Sequence, residues 1–291
     1  MSNPSFSGPE IESWTNEKPR QKHAELSQSA DTDAQSRNQA WWEAFPMTYQ
    51  SWDKENRLPS DPAAFEELDA SYFDSNPYLG ASVDFTAWEG RRVLEIGCGA
   101  GSAACRFAQH GAEVTAVDIT ANAVALCRQN ALVKNVAVDV RQMDAETLDG
   151  LPDASFDFVY SWGVLHHSSR PDAAYRQVAR VLKPGGSWLV MVYHKNSLRY
   201  WGRGLYHLVV RGGFLRGETI TSVQRFFTDG YYHKHYSRDE LDADLTAAGL
   251  LVKETAVTHM SSRMVAGLPE PVRQWLKRRI GWLLVARGTI G

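Results

Sequence analysis

The string Val93-Leu94-Glu95-Ile96-Gly97-Cys98-Gly99-Ala100-Gly101 constrains the fold more than any other part of the chain. A short apolar run extends as a strand and ends in three glycines. There the backbone can turn sharply and come close to a ligand that side chains would hold away. A helix follows to His110. The alternation continues with a strand from Ala112 to Val117 that ends at Asp118, and with a helix that Thr120 caps and that runs to about Val133. Val136 to Gln142 alternates as a third strand. Phe156 to Ser161, after the turn residues Pro152-Asp153-Ala154-Ser155, is a fourth. Pro171 opens a helix to Leu182 that Lys183-Pro184-Gly185-Gly186 stops, and Trp188 to Tyr193 is a fifth strand. Strands alternating with helices in this way predict a parallel sheet covered on both faces.

The flanks differ from this core. Residues 1–36 are polar, hold seven serines and show no apolar period, so they read as a tail that is disordered or, towards its end, partly ordered. Residues 37–90 form an N-terminal helical lid segment rich in aromatics, with Trp41, Phe45 and Trp52 at helical spacing around Pro46. A second helix starts after Asp61-Pro62 and carries Phe65, Leu68, Tyr72 and Phe73. The core occupies 91–194. Residues 195–238 are a basic, aromatic insertion in which eight Lys/Arg face two acids, whereas the first 90 residues carry 16 acids and six bases. In 239–291, Ser237 caps a helix through Ala248 with Glu240 in a capping box. Two last strands, Leu250 to Val257 and Trp282 to Ala286, flank a basic helix at Pro271 to Ile280.

A net charge of −3 excludes a chain built chiefly to hold nucleic acid. No apolar run reaches the ~18–20 residues of a membrane span, so stable membrane insertion is not expected. Three cysteines without a C-x-x-C pair give neither a disulfide framework nor a thiolate zinc cage, which points to a reducing, cytoplasmic setting. Cys98, Cys105 and Cys127 read as small buried residues.

The glycine turn aims the free N–H groups of the following helix at its ligand. A dinucleotide turn of the form G-x-G-x-x-G needs glycine at 102, where Ser102 stands. Glu95 inside the strand suits a ligand with a positive centre, and Asp118 at the next strand end can accept both hydroxyls of a ribose. The plain alternative is a tight strand–helix turn with no ligand.

At these residues the chain resembles the class I S-adenosylmethionine-dependent methyltransferases, and within them the UbiE-type branch that acts on small molecules. The resemblance covers residues 77–260, with Gly281-Trp282 to Gly288 similar to the final antiparallel strand. It implies an α/β fold, a Rossmann-like seven-stranded mostly parallel sheet with an antiparallel last strand and helical lid elements. The implied cofactor is S-adenosyl-L-methionine, the methyl donor. By this likeness Glu95, Gly97, Cys98, Gly99 and Gly101 belong to the loop around its methionine and ribose, and Asp118 takes the ribose. Ile119 packs on the adenine, Asp144 and Ala145 bind its amino edge, and Ser161 and Trp162 face the methionine ammonium and the methyl. Gly163-Val164-Leu165-His166-His167 and Arg180-Val181-Leu182-Lys183-Pro184-Gly185-Gly186 are further matching strings.

Methyl transfer from a sulfonium needs alignment, exclusion of water and removal of the acceptor's proton. His166 is the candidate base by resemblance to the histidine of phosphoethanolamine-type enzymes, with a structural role for His166 and His167 in pinning their loop as the alternative. Tyr49 is a second candidate that reaches over the site, unless the N-terminal aromatics are only core. The insertion sits where a substrate cap belongs. Its charge and aromatics suit a small molecule with an anionic group and an apolar body, or else merely attract the acidic N-terminal segment. His233 and His235 form a His-x-His pair on a loop without nearby carboxylates, and no metal site is expected. The alternative to an enzyme is an inactive cofactor-binding partner that activates another subunit.

Overall fold

The computed structural model describes residues 17–28, 33–47, 59, 61–226, 228, 230–260, 265 and 267–291. Tyr49 and Trp52 lie outside them. Seven strands make one sheet: β1 (Arg92–Ile96), β2 (Glu113–Asp118), β3 (Val138–Gln142), β4 (Phe156–Trp162), β5 (Leu182–Tyr193), β6 (Leu250–Thr258) and β7 (Leu283–Ile290). Their order is β3-β2-β1-β4-β5-β7-β6. The first five run parallel, and β7 is antiparallel to both β5 and β6. The expected α/β architecture, with its antiparallel last strand, is what the chain adopts.

Its helices are α1 (Glu17–Gln28), α2 (Ala34–Ala44), α3 (Pro62–Ser75), α4 (Leu79–Ser82), α5 (Ser102–Gln109), α6 (Ala121–Val133), α7 (Pro171–Val181), α8 (Leu198–Val209), α9 (Arg238–Ala247) and α10 (Glu270–Ile280). Local chemistry accounts for their starts. Asp61 accepts from the Ala64 N–H ahead of Pro62, Thr120 accepts from Ala123, and Ser237 with Glu240 closes the capping box. On one sheet face Phe107, Phe158 and Tyr160 pack with Ala103 and Val124, and on the other Tyr175, Val178 and Trp188 pack with Leu241 and Leu245. Covered on both faces, β1 and β4 are buried along nearly their whole length.

Three local details go beyond what the sequence specified. Residues 1–36 include α1 and the first turn of α2, so helical structure begins well before residue 37. Leu26 on α1 and Trp41 on α2 are buried against each other with Phe45 and Tyr231, and this pairing across a gap in sequence leaves no period in either segment. Lys183-Pro184-Gly185-Gly186 stops α7, but as a wide bulge within β5: Leu182 pairs with Phe156 and Ser187 with Phe158. Gly185 supplies the positive φ of 73° that this bulge needs. The last strand runs on to Ile290 rather than ending at Ala286, since Trp188 and Ser187 of the neighbouring β5 continue its ladder.

Candidate active site

The strand order reverses between β1 and β4, and the crevice beyond their carboxyl ends is where an open α/β sheet binds ligands. A cavity of about 770 Å³ opens there. Glu95, Gly97, Cys98, Gly99, Asp118, Ile119, Ala145 and Trp162 all line it, drawn together from residues scattered over 68 positions of chain.

The glycine loop wraps the end of β2. The N–H groups of Gly97 and Cys98 donate to the Val117 carbonyl at 2.7 and 3.0 Å, and that of Gly99 donates to Asp118 Oδ2 at 3.1 Å. Gly97 has a φ of 80°, and a Cβ there would lie 2.1 Å from Val164 Cγ2. Asp118 also accepts from the Thr120 N–H and hydroxyl, at 3.0 and 2.9 Å. Burial pushes its carboxyl up, while these bonds pull it back. Glu95 is buried in the cavity wall. Burial holds its carboxyl well above the usual range, and Oε2 has no hydrogen-bond partner. A buried carboxylate oxygen without a partner is a costly arrangement unless a cation or donor meets it.

Not every expected residue reaches the cavity. Gly101 is the N-cap of α5, and its missing Cβ makes room for Cys127 Sγ, which would otherwise lie 2.6 Å away. Ser161 is fully buried and donates its hydroxyl to the Ile96 carbonyl at 3.1 Å, so it ties β4 to β1 instead of facing a ligand. Asp144 lines a neighbouring groove and accepts from Gln35 Nε2 at 2.8 Å. Cys98 touches Cys127, and that contact together with burial pushes its thiol far up, which leaves it unreactive.

The adjacent histidines differ in what they reach, although the tight turn over Leu165–His167 leaves their ring centroids 4.2 Å apart. His166 is fully buried behind Tyr193, ring centroids 4.0 Å apart, and is not in the cavity wall. Burial drives its imidazole well below the ordinary value, with the neighbouring His167 adding to the fall and the Met191 backbone opposing it. His167 is the one that lines the cavity. Its Nδ1 lies 2.9 Å from the Tyr232 carbonyl, which can only accept, so Nδ1 carries the proton and Nε2 is left as the acceptor. Burial lowers this ring to about 4.

Several lining residues carried no motif. Gln35, Asn38 and Trp42 sit one turn apart on α2, a stripe visible only as helical spacing of polar residues. Asn38 Nδ2 donates to the His167 carbonyl at 2.7 Å, Trp42 stands edge-on to the His167 ring at 5.0 Å, and Gln39 donates to the Ile119 carbonyl at 3.0 Å. The wall is also aromatic: Tyr78, Tyr193 and Trp282 line it, with Met260 and Arg199. Trp162 is fixed by a 2.8 Å bond from its indole N–H to Asn76. Of the basic insertion, Arg199 reaches the wall, its guanidinium 4.3 Å over the Trp282 ring. Other charges of the insertion are spent elsewhere: Arg216 and Arg225 meet Glu218, Lys195 meets Glu240, and Lys234 meets Asp244. Tyr200 is buried with its hydroxyl on Thr221, and Phe214 points to solvent, so the expected aromatic cap does not form over the cavity from these two.

Residues 94–190 match the family described as Methyltransferase domain. This core is a methyltransferase domain. A ubiquinone biosynthesis O-methyltransferase of Alkalilimnicola ehrlichii is 38% identical over 112 residues, 38% of this chain and 45% of the relative. One of Pseudomonas aeruginosa is 32% identical over 155 residues, 53% and 62% of the two chains. The aligned part thus spans about half the length of the curated relatives. The magnesium protoporphyrin IX methyltransferase of Synechocystis, solved with bound SAH, shares the fold at a TM-score of 0.55 and 17% identity, over 89% of this chain and all of that one. The YcgJ protein of Bacillus does so at 0.51 and 23%, over 74% and 98%. The methyltransferase domain takes S-adenosylmethionine as its cofactor, and the residues fit it: a partnerless buried carboxylate oxygen for a positive centre, a glycine cradle, and a strand-end acid.

Proposed function

We propose that this chain transfers the methyl group of S-adenosylmethionine to a hydroxyl of a small molecule with an apolar, ring-bearing body and an anionic group. The observation that carries the reading is the cavity lining, in which Tyr78, Trp162, Tyr193 and Trp282 stand together with the cation Arg199, its guanidinium over the Trp282 ring. Aromatic walls select a flat apolar body by area and ring contact, and a guanidinium selects a carboxylate or phenolate. The O-methyltransferase relatives support a hydroxyl as the acceptor.

When bound, the cofactor supplies an electrophilic methyl on a sulfonium whose departure leaves no charge to stabilise. What remains for the protein is to bind, align and deprotonate. Glu95 and Asp118 hold the cationic and ribose parts, while Ile119, Ala145 and the neighbouring Asp144 frame the adenine. We assign the base role to His167 rather than His166, because its ring lines the cavity and the Tyr232 carbonyl fixes the tautomer with Nε2 unprotonated. A ring at about 4 is neutral at pH 7, with its lone pair available. It is a weak base, but a hydroxyl turns strongly acidic as its oxygen gains the methyl, so a weak base suffices.

Two outcomes test this. Asp118→Ala is expected to weaken binding of the demethylated cofactor by ~1–3 kcal/mol in calorimetric titration, the scale of hydrogen bonds to a charged group. An unchanged dissociation constant would remove the ribose assignment. In an acceptor screen of phenolic acids, His167→Ala is expected to lower kcat by about 10²–10⁴-fold with cofactor affinity within a few-fold. His166→Ala should instead lower Tm and leave kcat of the folded fraction near the parent. The reverse pattern returns the base to His166.

A further inference from the structure

We propose that His259 is a substrate-binding residue which, with Arg199, holds a carboxylate of the acceptor, an inference that rests on reading this cavity as the acceptor site. The backbone gives the first indication. Asn135, Leu148, Ala154 and His259 are the described residues other than glycine with a positive φ, and His259, at 62°, is the one that lines the cavity. A residue with a Cβ is strained in this region, where glycine or asparagine sits at less cost. Residues held in such conformations gather at ligand sites, where the surrounding structure enforces them. The enforcement is visible at the junction of β6 and β7. The Trp282 N–H donates to the His259 carbonyl at 2.6 Å, and the His194 N–H donates to the Trp282 carbonyl at 2.8 Å. A Cβ on Gly281 would lie 2.5 Å from the Thr258 carbonyl oxygen, so the two strand ends are locked close together. The left-handed turn thus ends β6 and leaves the His259 imidazole in the cavity wall.

The surroundings of the ring say what it meets. His259 is half-buried and edge-on to Tyr78, ring centroids 5.2 Å apart. Tyr78 is fixed in turn, with its hydroxyl 3.5 Å from the Met260 carbonyl and the Lys277 ammonium 4.0 Å from its ring centroid. Arg199 enters from α8 and lies over the Trp282 ring. Trp282 therefore joins the pair: its backbone fixes His259, its ring carries Arg199, and both side chains line one wall. A guanidinium has only donors to offer, and an imidazole carries an N–H in either tautomer. A carboxylate accepts at two oxygens and about four lone-pair sites, so it can take both donors at once. A phenolate brings a single oxygen, and a primary amide sets its own NH₂ against the guanidinium. The pair narrows the anionic acceptor to a carboxylic acid on a ring-bearing body.

Calorimetric titration of the full chain, saturated with the demethylated cofactor, with 4-hydroxyphenylacetate and with 4-hydroxyphenylacetamide tests it. The parent is expected to prefer the acid. His259→Gly removes the ring but suits the backbone, so Tm should hold while affinity for the acid falls about tenfold and that for the amide stays within about twofold. His259→Asn keeps both the left-handed backbone and a side-chain N–H, and should recover part of the loss. If His259→Gly weakens acid and amide equally, or weakens neither, the proposal is overturned. A parent that binds both compounds alike overturns it together with the anionic-acceptor reading. Selectivity for the acid that depends on His259, in a protein that methylates no hydroxyl, would support the carboxylate site and overturn the hydroxyl-transfer reading.

Discussion

Gly97→Ala is expected to cost the protein its cofactor site. Two separate penalties act at that position. The φ of 80° costs a residue with a Cβ about 1–2 kcal/mol, and the new methyl lies 2.1 Å from Val164 Cγ2, an overlap that forces movement worth about 1–3 kcal/mol. Relief has to come from the loop, because Val164 begins the turn that carries Leu165 and His167, both buried. Cofactor affinity measured by calorimetry should therefore fall by at least about thirtyfold, since ~1.4 kcal/mol is a factor of ten. The two penalties separate in Gly97→Ala combined with Val164→Ala. That pair should regain the steric part and keep the conformational one. If Gly97→Ala alone binds the demethylated cofactor like the parent, the loop is not the binding cradle.

The second large effect is on stability against acid. His166 and His167 are buried and His233 and His235 half-buried, and desolvation lowers each: His167 to about 4, His233 to about 3, the other two well below their ordinary value. Rings this close also disfavour one another's protonation. Above pH 6.5 folded and unfolded chains both hold neutral rings, so these groups impose no pH dependence. Between 6.5 and about 4 the unfolded chain takes up protons that the native chain refuses, and stability falls as pH falls. The raised carboxyls Glu95, Asp118 and Asp144 act in the opposite sense, because the native state protonates them first. With roughly three histidines uncompensated, the loss from pH 7 to 5.5 comes to about 4 kcal/mol. In a domain of this size that lowers Tm by about 10 °C. Differential scanning calorimetry across this range checks it, and a flat Tm would show that the rings are charged or hydrated in the native state.

How much of this the sequence carried depends on distance along the chain. The β/α core was legible because each strand, cap and turn is specified within ten residues: Thr120 caps its own helix, and Gly97 turns its own strand. The cofactor half of the site was legible for the same reason, since Glu95 and Asp118 stand at strand ends. The acceptor half was not. Tyr78, Arg199, Met260 and Trp282 meet only once the sheet has closed, and nothing local marks any of them. His166 and His167 show the limit most clearly. Both stand in the same motif, and which ring enters the cavity is decided by one tight turn and by the Tyr232 carbonyl, 65 residues away. The basic insertion misled in a similar way, because charge counted along the chain cannot foresee that Glu218 takes up Arg216 and Arg225.

Ser102, the residue that breaks the dinucleotide pattern, donates its hydroxyl to Asp69 Oδ1 at 2.6 Å. The same carboxylate receives the Asn130 amide at 3.2 Å and the Lys134 ammonium at 3.3 Å. One acid on α3 thus gathers donors from the start of α5 and the end of α6. Glycine at 102 would complete the G-x-G-x-x-G string but would strip that acid of its shortest bond and loosen the lid from the core. Changing the cofactor preference of this scaffold by mutation is therefore not a one-letter step. Positions 69, 102, 130 and 134 share one carboxylate, so a change at 102 is felt at the other three.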